Sequence, residues 1–115
     1  MSAQPKITQD PLYQLLREGK IEEFNKSKAA GGVCDLTHCD FRNLNLQNLE
    51  ANGLDFTGGY FRQTDLRGVD LSNAKMEGAS INGARISGVY FPKELSAGEI
   101  KLSIEHGTRM RYSKI

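Results

Sequence analysis

The sequence predicts a small, mainly β solenoid flanked by short helices, on three observations. From residue 34 to residue 91 an apolar residue, nearly always large, recurs every five positions: Leu36, Phe41, Leu46, Ala51, Phe56, Phe61, Leu66, Leu71, Met76, Ile81, Ile86 and Phe91. Two residues before each stands a second series, Cys34, Cys39, Leu44, Leu49, Leu54, Gly59, Thr64, Val69, Ala74, Ala79, Ala84 and Val89, nine of whose twelve members are small or β-branched. Two residues after the large ones, Gly or Asn recurs at Asn43, Asn48, Gly53, Gly58, Gly68, Asn73, Gly78, Gly83 and Gly88, residue types that accept the backbone angles of a tight corner. A period of five fits neither a helix nor an uninterrupted strand, so each repeat is a short extended piece followed by a turn, and the chain coils.

Within each piece, residues two apart point to the same side, so both apolar series face inward. The residue between them, typified by Asp35, Asp40, Asn45, Asp55, Asp65, Asp70 and Ser80, is then expected to face water.

These repeats resemble the pentapeptide-repeat family, whose motif is loosely A-(D/N)-L-x-x. The best copies are Thr64-Asp65-Leu66-Arg67-Gly68, Val69-Asp70-Leu71-Ser72-Asn73 and Ala74-Lys75-Met76-Glu77-Gly78, and twelve contiguous copies cover about half the chain. The resemblance implies a right-handed, four-sided β-helix in which four pentapeptides make one coil and the large residue packs inside. Twelve copies then make about three coils, on the order of 15 Å tall at roughly 4.8 Å per coil. The expected interior stacks are Leu36/Phe56/Met76, Phe41/Phe61/Ile81 and Leu46/Leu66/Ile86.

So short a solenoid has two open edges, and the flanks are placed to cap them. The whole chain is read as one domain: a helical cap over 10–32, the repeats over 33–92, and a C-terminal helix with a basic tail over 93–115. Asp10 and Pro11 suit the start of a helix whose stripe is Leu12, Leu15 and Leu16 and which Gly19 ends. A second helix runs from Lys20 to about Ala30, presents Ile21 and Phe24, and stops at Gly31-Gly32. Ser96 and Glu99 have capping-box spacing, Ile100 and Ile104 share a face, and Gly107 ends the third helix. The tail from Thr108 to Ile115 is either an edge strand or a loose basic extension.

Composition narrows the function. The chain has 115 residues, a net charge of +1, twelve glycines and no Trp, which bounds it to one modest domain. No apolar run is long enough to cross a bilayer, and MSAQPKITQD lacks the pattern of a secretory signal, so a cytoplasmic location is expected. Cys34 and Cys39 make no disulfide framework, complete no zinc site, and are expected to be buried free thiols rather than a redox pair. His38 is expected at a surface corner and His106 at a helix C-terminus; neither joins a catalytic constellation. The glycines follow the pentapeptide period without a phosphate-binding Lys-Ser or Lys-Thr. No enzyme, cofactor or metal is therefore indicated.

Residues twenty apart should stack, so one side carries Asp40, Tyr60 and Ser80 beside Arg42, Arg62 and Asn82. Tyr60 replaces the acid or amide favoured there, and Tyr with Arg is a binding-surface combination, which makes Arg42, Tyr60 and Arg62 the candidate protein-binding residues. Arg109, Arg111 and Tyr112 in the tail form an alternative surface, expected to lie apart from the first.

The function expected is a non-enzymatic protein-interaction module, a bacterial cytoplasmic adaptor or regulatory subunit with an unidentified protein partner, with a homodimer left open. The family's DNA-mimicry role, in which acidic solenoids bind DNA gyrase and protect it, is the alternative. Residues 34–91 hold seven acids and five bases, whereas a duplex mimic 15 Å tall needs on the order of nine negative charges. Near-neutral charge also argues against nucleic-acid and membrane partners.

Overall fold

The computed structural model describes residues 4–113. Met1 to Ala3 of the segment read against a secretory signal, and Lys114 and Ile115 of the tail, lie outside the described residues. The repeats fold as a solenoid of turns. In eleven successive repeats, from Leu36 to Ile86, the carbonyl of the large residue accepts the N–H three residues on, at 2.8–3.4 Å. Each turn closes on the small residue of the next repeat, which directs both apolar series inward.

The pairing repeats every twenty residues. Parallel bridges pair Asp40 with Tyr60 and Tyr60 with Ser80, Asn45 with Asp65 and Asp65 with Arg85, Asp55 with Lys75, and Asp70 with Tyr90. Among the described residues no bridge joins Asp35 to Asp55 or Glu50 to Asp70, although the His38 N–H still donates to the Thr57 carbonyl at 2.8 Å in the common register. At Glu50 the backbone N–H is taken instead by Asn25 Oδ1 at 2.9 Å. At Asp35 the chain is only just arriving from the preceding helix, and nearby Val33 is 90% exposed.

The corners follow backbone sterics. Asn43, Asn48, Gly53, Gly58, Gly68, Gly78, Gly83 and Gly88 all have positive φ, the left-handed setting that Gly and Asn tolerate. Three positions depart from the sequence expectation: His38 and Gln63 adopt the same setting at φ 58° and 57°, while Asn73 is absent from the positive-φ set. Gly58 has a second reason to be glycine, because a Cβ there would run into the imidazole of His38.

The interior is filled as the period demands. Leu36, Phe41, Leu46, Ala51, Phe56, Phe61, Leu66, Leu71, Met76 and Ile81 are buried. Phe41 and Phe61, one coil apart, stack at 4.9 Å between centroids and 13° between planes. Phe56 meets both edge-on at 5.3 Å. Ile86, the last member of the third expected stack, and Phe91 are only half-buried but still pack against the core. Thr64 fits the small inward position because its hydroxyl donates to the Phe41 carbonyl at 2.6 Å.

Helix α1, Pro11–Arg17, starts where Asp10 accepts the N–H groups of Leu12 and Tyr13; α2 is Ile21–Ala29. Their fully buried residues are Tyr13, Leu16 and Phe24, whereas Leu12, Leu15 and Ile21 of the expected stripes are half-buried. Ahead of α1, Lys6 bridges in parallel to Cys39 and takes the Asp40 N–H on its carbonyl at 2.8 Å. Helix α3, Ala97–His106, has Ser96 as N-cap and a left-handed Gly107 at its end. Its buried residue is Ser103, with Ile100 and Ile104 half-buried.

The tail is held on the upper edge of the repeats. Met110 is buried, accepts the Gly78 N–H at 2.7 Å and donates to Ala79 at 2.9 Å. Tyr112 Oη accepts the Met76 N–H at 2.8 Å, Ser103 Oγ that of Ile81 at 2.9 Å, and the Ile104 carbonyl that of Gly83 at 3.1 Å. No helix of the described residues is long and apolar enough to cross a membrane.

Candidate functional site

The polar position of each repeat has a local task. Its side-chain oxygen accepts the backbone N–H two residues on at Asp35, Asp40, Asn45, Asp55, Asp65 and Asp70. The side chain of that second residue adds a bond wherever it is Thr, Ser or Arg. These are the local turns that short polar side chains form with their own backbone, so the row of acids shapes turns and is not a set of paired catalytic carboxylates.

Asp40 departs from the expectation that this position faces water. It is 6% exposed, covered by Lys6 on the adjoining segment and by α1. Arg42 grips its carboxylate in a fork, Nε to Oδ1 and Nη2 to Oδ2, both at 2.9 Å. Arg17 Nη1 lies 3.9 Å from Oδ2 and donates to the Asp40 main-chain carbonyl at 3.3 Å. Tyr13 donates to the same carbonyl at 2.8 Å. The hydrogen bond from Arg42 holds the Asp40 carboxyl below the usual carboxylate range.

Arg42 and Arg62 do share a surface, and with Arg17, Asp40, Asn43 and Gln63 they line an open recess of about 320 Å³. The Asn43 N–H donates to the Arg62 carbonyl at 2.9 Å, which fixes the two turns one above the other. Arg17 was missed by sequence reasoning. The available signal was its spacing from Tyr13, because residues four apart share one face of a helix.

The two candidate surfaces are not separate. Arg109 Cζ lies 4.9 Å from the centroid of the Tyr60 ring, and its guanidinium donates to Tyr60 Oη and to the Gly78 carbonyl. The tail thus delivers a cation onto the ring of the neighbouring face. Arg111 and Tyr112 point elsewhere: the Arg111 N–H donates to Glu99 Oε1 at 2.8 Å and its guanidinium lies 3.8 Å from Oε2, while Tyr112 satisfies Met76. Burial raises the Tyr112 hydroxyl pKa.

Burial pushes the Cys39 and Cys34 thiols up to about 11, which disfavours thiolate chemistry near neutral pH. Cys39 is buried as expected; Cys34 is only half-buried, since it precedes the first regular coil. His38 is exposed and His106 is the last residue of α3. Among the described residues no group of three or more His, Cys, Asp or Glu could hold a metal.

A family model for pentapeptide repeats matches residues 34–63 and 55–91, with eight copies. The chain belongs to the pentapeptide-repeat family. No curated protein and no solved structure matches it. Around its repeats this pentapeptide-repeat protein carries α1, α2, α3 and the tail, and these flanks supply Arg17 and Arg109 to the candidate face.

Proposed function

We propose that the protein is a non-enzymatic protein-interaction module, a bacterial cytoplasmic adaptor or regulatory subunit. In this reading three coils are closed by α1, α2 and the Lys6 segment at one end and by α3 and the tail at the other. The observation that carries the reading is the composite face in which Arg109 lies over Tyr60, close to the recess formed by Arg42 and Arg62. Tyr and Arg are the residue types that dominate binding energy at protein interfaces. A ring already held by a guanidinium and by its place in the coil loses little conformational freedom on binding.

The test is capture of a partner by the tagged full chain in its own cells, followed by affinity measurements. Replacing Tyr60 and Arg62 together by Ala should weaken the complex by at least about 1–2 kcal/mol while the thermal melt is retained. Arg109→Ala should weaken it too, because it lies on the same ring. Normal binding by both variants, with binding lost on Arg111→Glu, moves the site to the tail. Failure of the intact chain to hold any protein removes the interaction reading itself.

A further inference from the structure

The recess beside Asp40 carries more positive charge than the protein uses. Its lining holds three arginines, Arg17, Arg42 and Arg62, and one acid, Asp40. Two of the guanidiniums share that carboxylate, and Arg62 makes no side-chain hydrogen bond or ion pair among the described residues. Arg67, on another side, is by contrast matched one-to-one with Asp65 at 2.7 Å.

Asp40 positions the cluster without neutralising it. Its carboxylate is turned inward, at 8% side-chain exposure, while the Arg42 and Arg17 side chains remain 44% and 31% exposed. Arg42 spends its Nε–H and one Nη2–H on Asp40, and a guanidinium has five N–H donors, so donors remain for a ligand. The hydrogen bond from Asn43 to Arg62 holds the turns that follow Arg42 and Arg62 in adjacent coils, at a strand spacing of roughly 4.8 Å. Like charges held in such register repel, and an oxyanion between them relieves the repulsion.

We infer that this recess binds a phosphoryl group. The surplus of two positive charges matches a phosphate monoester dianion, and guanidinium forks match its oxygens. A single carboxylate leaves half the surplus uncompensated. Arg17 and Arg42 come to the anion already oriented by Asp40, and Arg62 lines the same recess with its donors uncommitted among the described residues. The inference does not rest on the interaction reading, because the isolated protein should bind inorganic phosphate with no partner present.

The probe is inorganic phosphate, titrated into the full chain at constant ionic strength and pH 7.5 while the arginine Nε–Hε NMR signals are followed. Saturable shifts are expected at Arg17, Arg42 and Arg62. Arg62→Gln, which removes no hydrogen bond among the described residues, should keep the melt and weaken binding about tenfold, as expected for one lost charge-assisted contact. Lys75→Gln, on another side, should change it less than twofold. Shifts that stay linear in phosphate, or equal affinity of the Arg62→Gln variant, overturn the proposal.

The source of the group is read by comparing phosphoserine, a phosphoserine peptide and the same peptide with Glu in its place. Tighter binding of the phosphopeptide than of free phosphoserine assigns the group to a protein side chain; equal binding assigns it to small phosphomonoesters. A Glu peptide that binds as well as the phosphopeptide overturns the preference for phosphoryl.

Discussion

Phe61 lies against two other rings, stacked on Phe41 and edge-on to Phe56, and is fully buried. Truncating it empties the middle of the column, so Phe61→Ala should cost about 3–5 kcal/mol in urea denaturation, a large part of what a small domain possesses. An unchanged midpoint would mean that the rings are not what holds the coils together. Asp40 contributes to the acid limit. Its pKa is lowered in the folded state, so its stabilisation is fully present above the unfolded carboxylate value of about 3.9 and disappears as pH falls through the lower folded value. Asp35, Asp65 and Asp70 are lowered in the same direction by hydrogen bonds from Thr37, Arg67 and Ser72. Melting temperature should therefore be nearly level from pH 7 to about 5 and fall below about 4, with a shallower fall in Asp40→Asn. Equal slopes in wild type and variant would take Asp40 out of the account. The sequence held the signal for this role, since Asp35, Asp40, Asn45, Asp55, Asp65 and Asp70 each have a polar side chain two residues later. Periodicity alone assigned those acids to water, because it reports which side a residue points to and not what it bends back to meet.

At the scale of elements, helix boundaries were legible because caps are local chemistry. Asp10, Ser96 and Gly107 act at the positions their spacing implied. What the elements do to the coil edge was not legible, because each contact is made once and leaves no period: Lys6 against Cys39, Ser103 on Ile81, and Met110 between Gly78 and Ala79. The upper edge offers a comparison of two such contacts. Ser103 Oγ receives the Ile81 N–H in a buried setting, whereas Tyr112 Oη receives that of Met76 where water has partial access. Ser103→Ala should cost about 1–3 kcal/mol, the range for stranding a buried donor, and should raise the amide exchange rate of Ile81. Tyr112→Phe should cost less. Leu102→Ala, at a position 45% exposed, should stay within about 0.5 kcal/mol. If Ser103→Ala matches Leu102→Ala in both stability and exchange, α3 rests on the coil without completing it.

For the whole molecule, the principal extents are 35 × 32 × 25 Å and the radius of gyration is 13.2 Å. A compact chain of this length has roughly that radius, so the flanks and coils together make a rounded body and not a rod. Rod shape and dense negative charge are what imitation of a duplex requires, and the repeats carry only seven acids against five bases. In such a body residues that precede the repeats pack against the first of them. Removing residues 1–30 takes away Tyr13, Leu16 and Phe24 from the core, the edge contact of Tyr13 on Phe41, and the acceptors that Lys6 and Asn25 offer to the Asp40 and Glu50 N–H groups. The uncovered coil then presents apolar side chains and open backbone donors together, the combination that promotes edge-to-edge association. Light scattering of the truncated chain should report concentration-dependent oligomers and a lowered melting temperature. Deleting only residues 1–5, which spares Lys6 and α1, should leave the protein at its original size. If the longer deletion stays at the size of one chain and melts with the intact protein, the coil end closes itself, and the burial of α1 and α2 serves some purpose other than covering it.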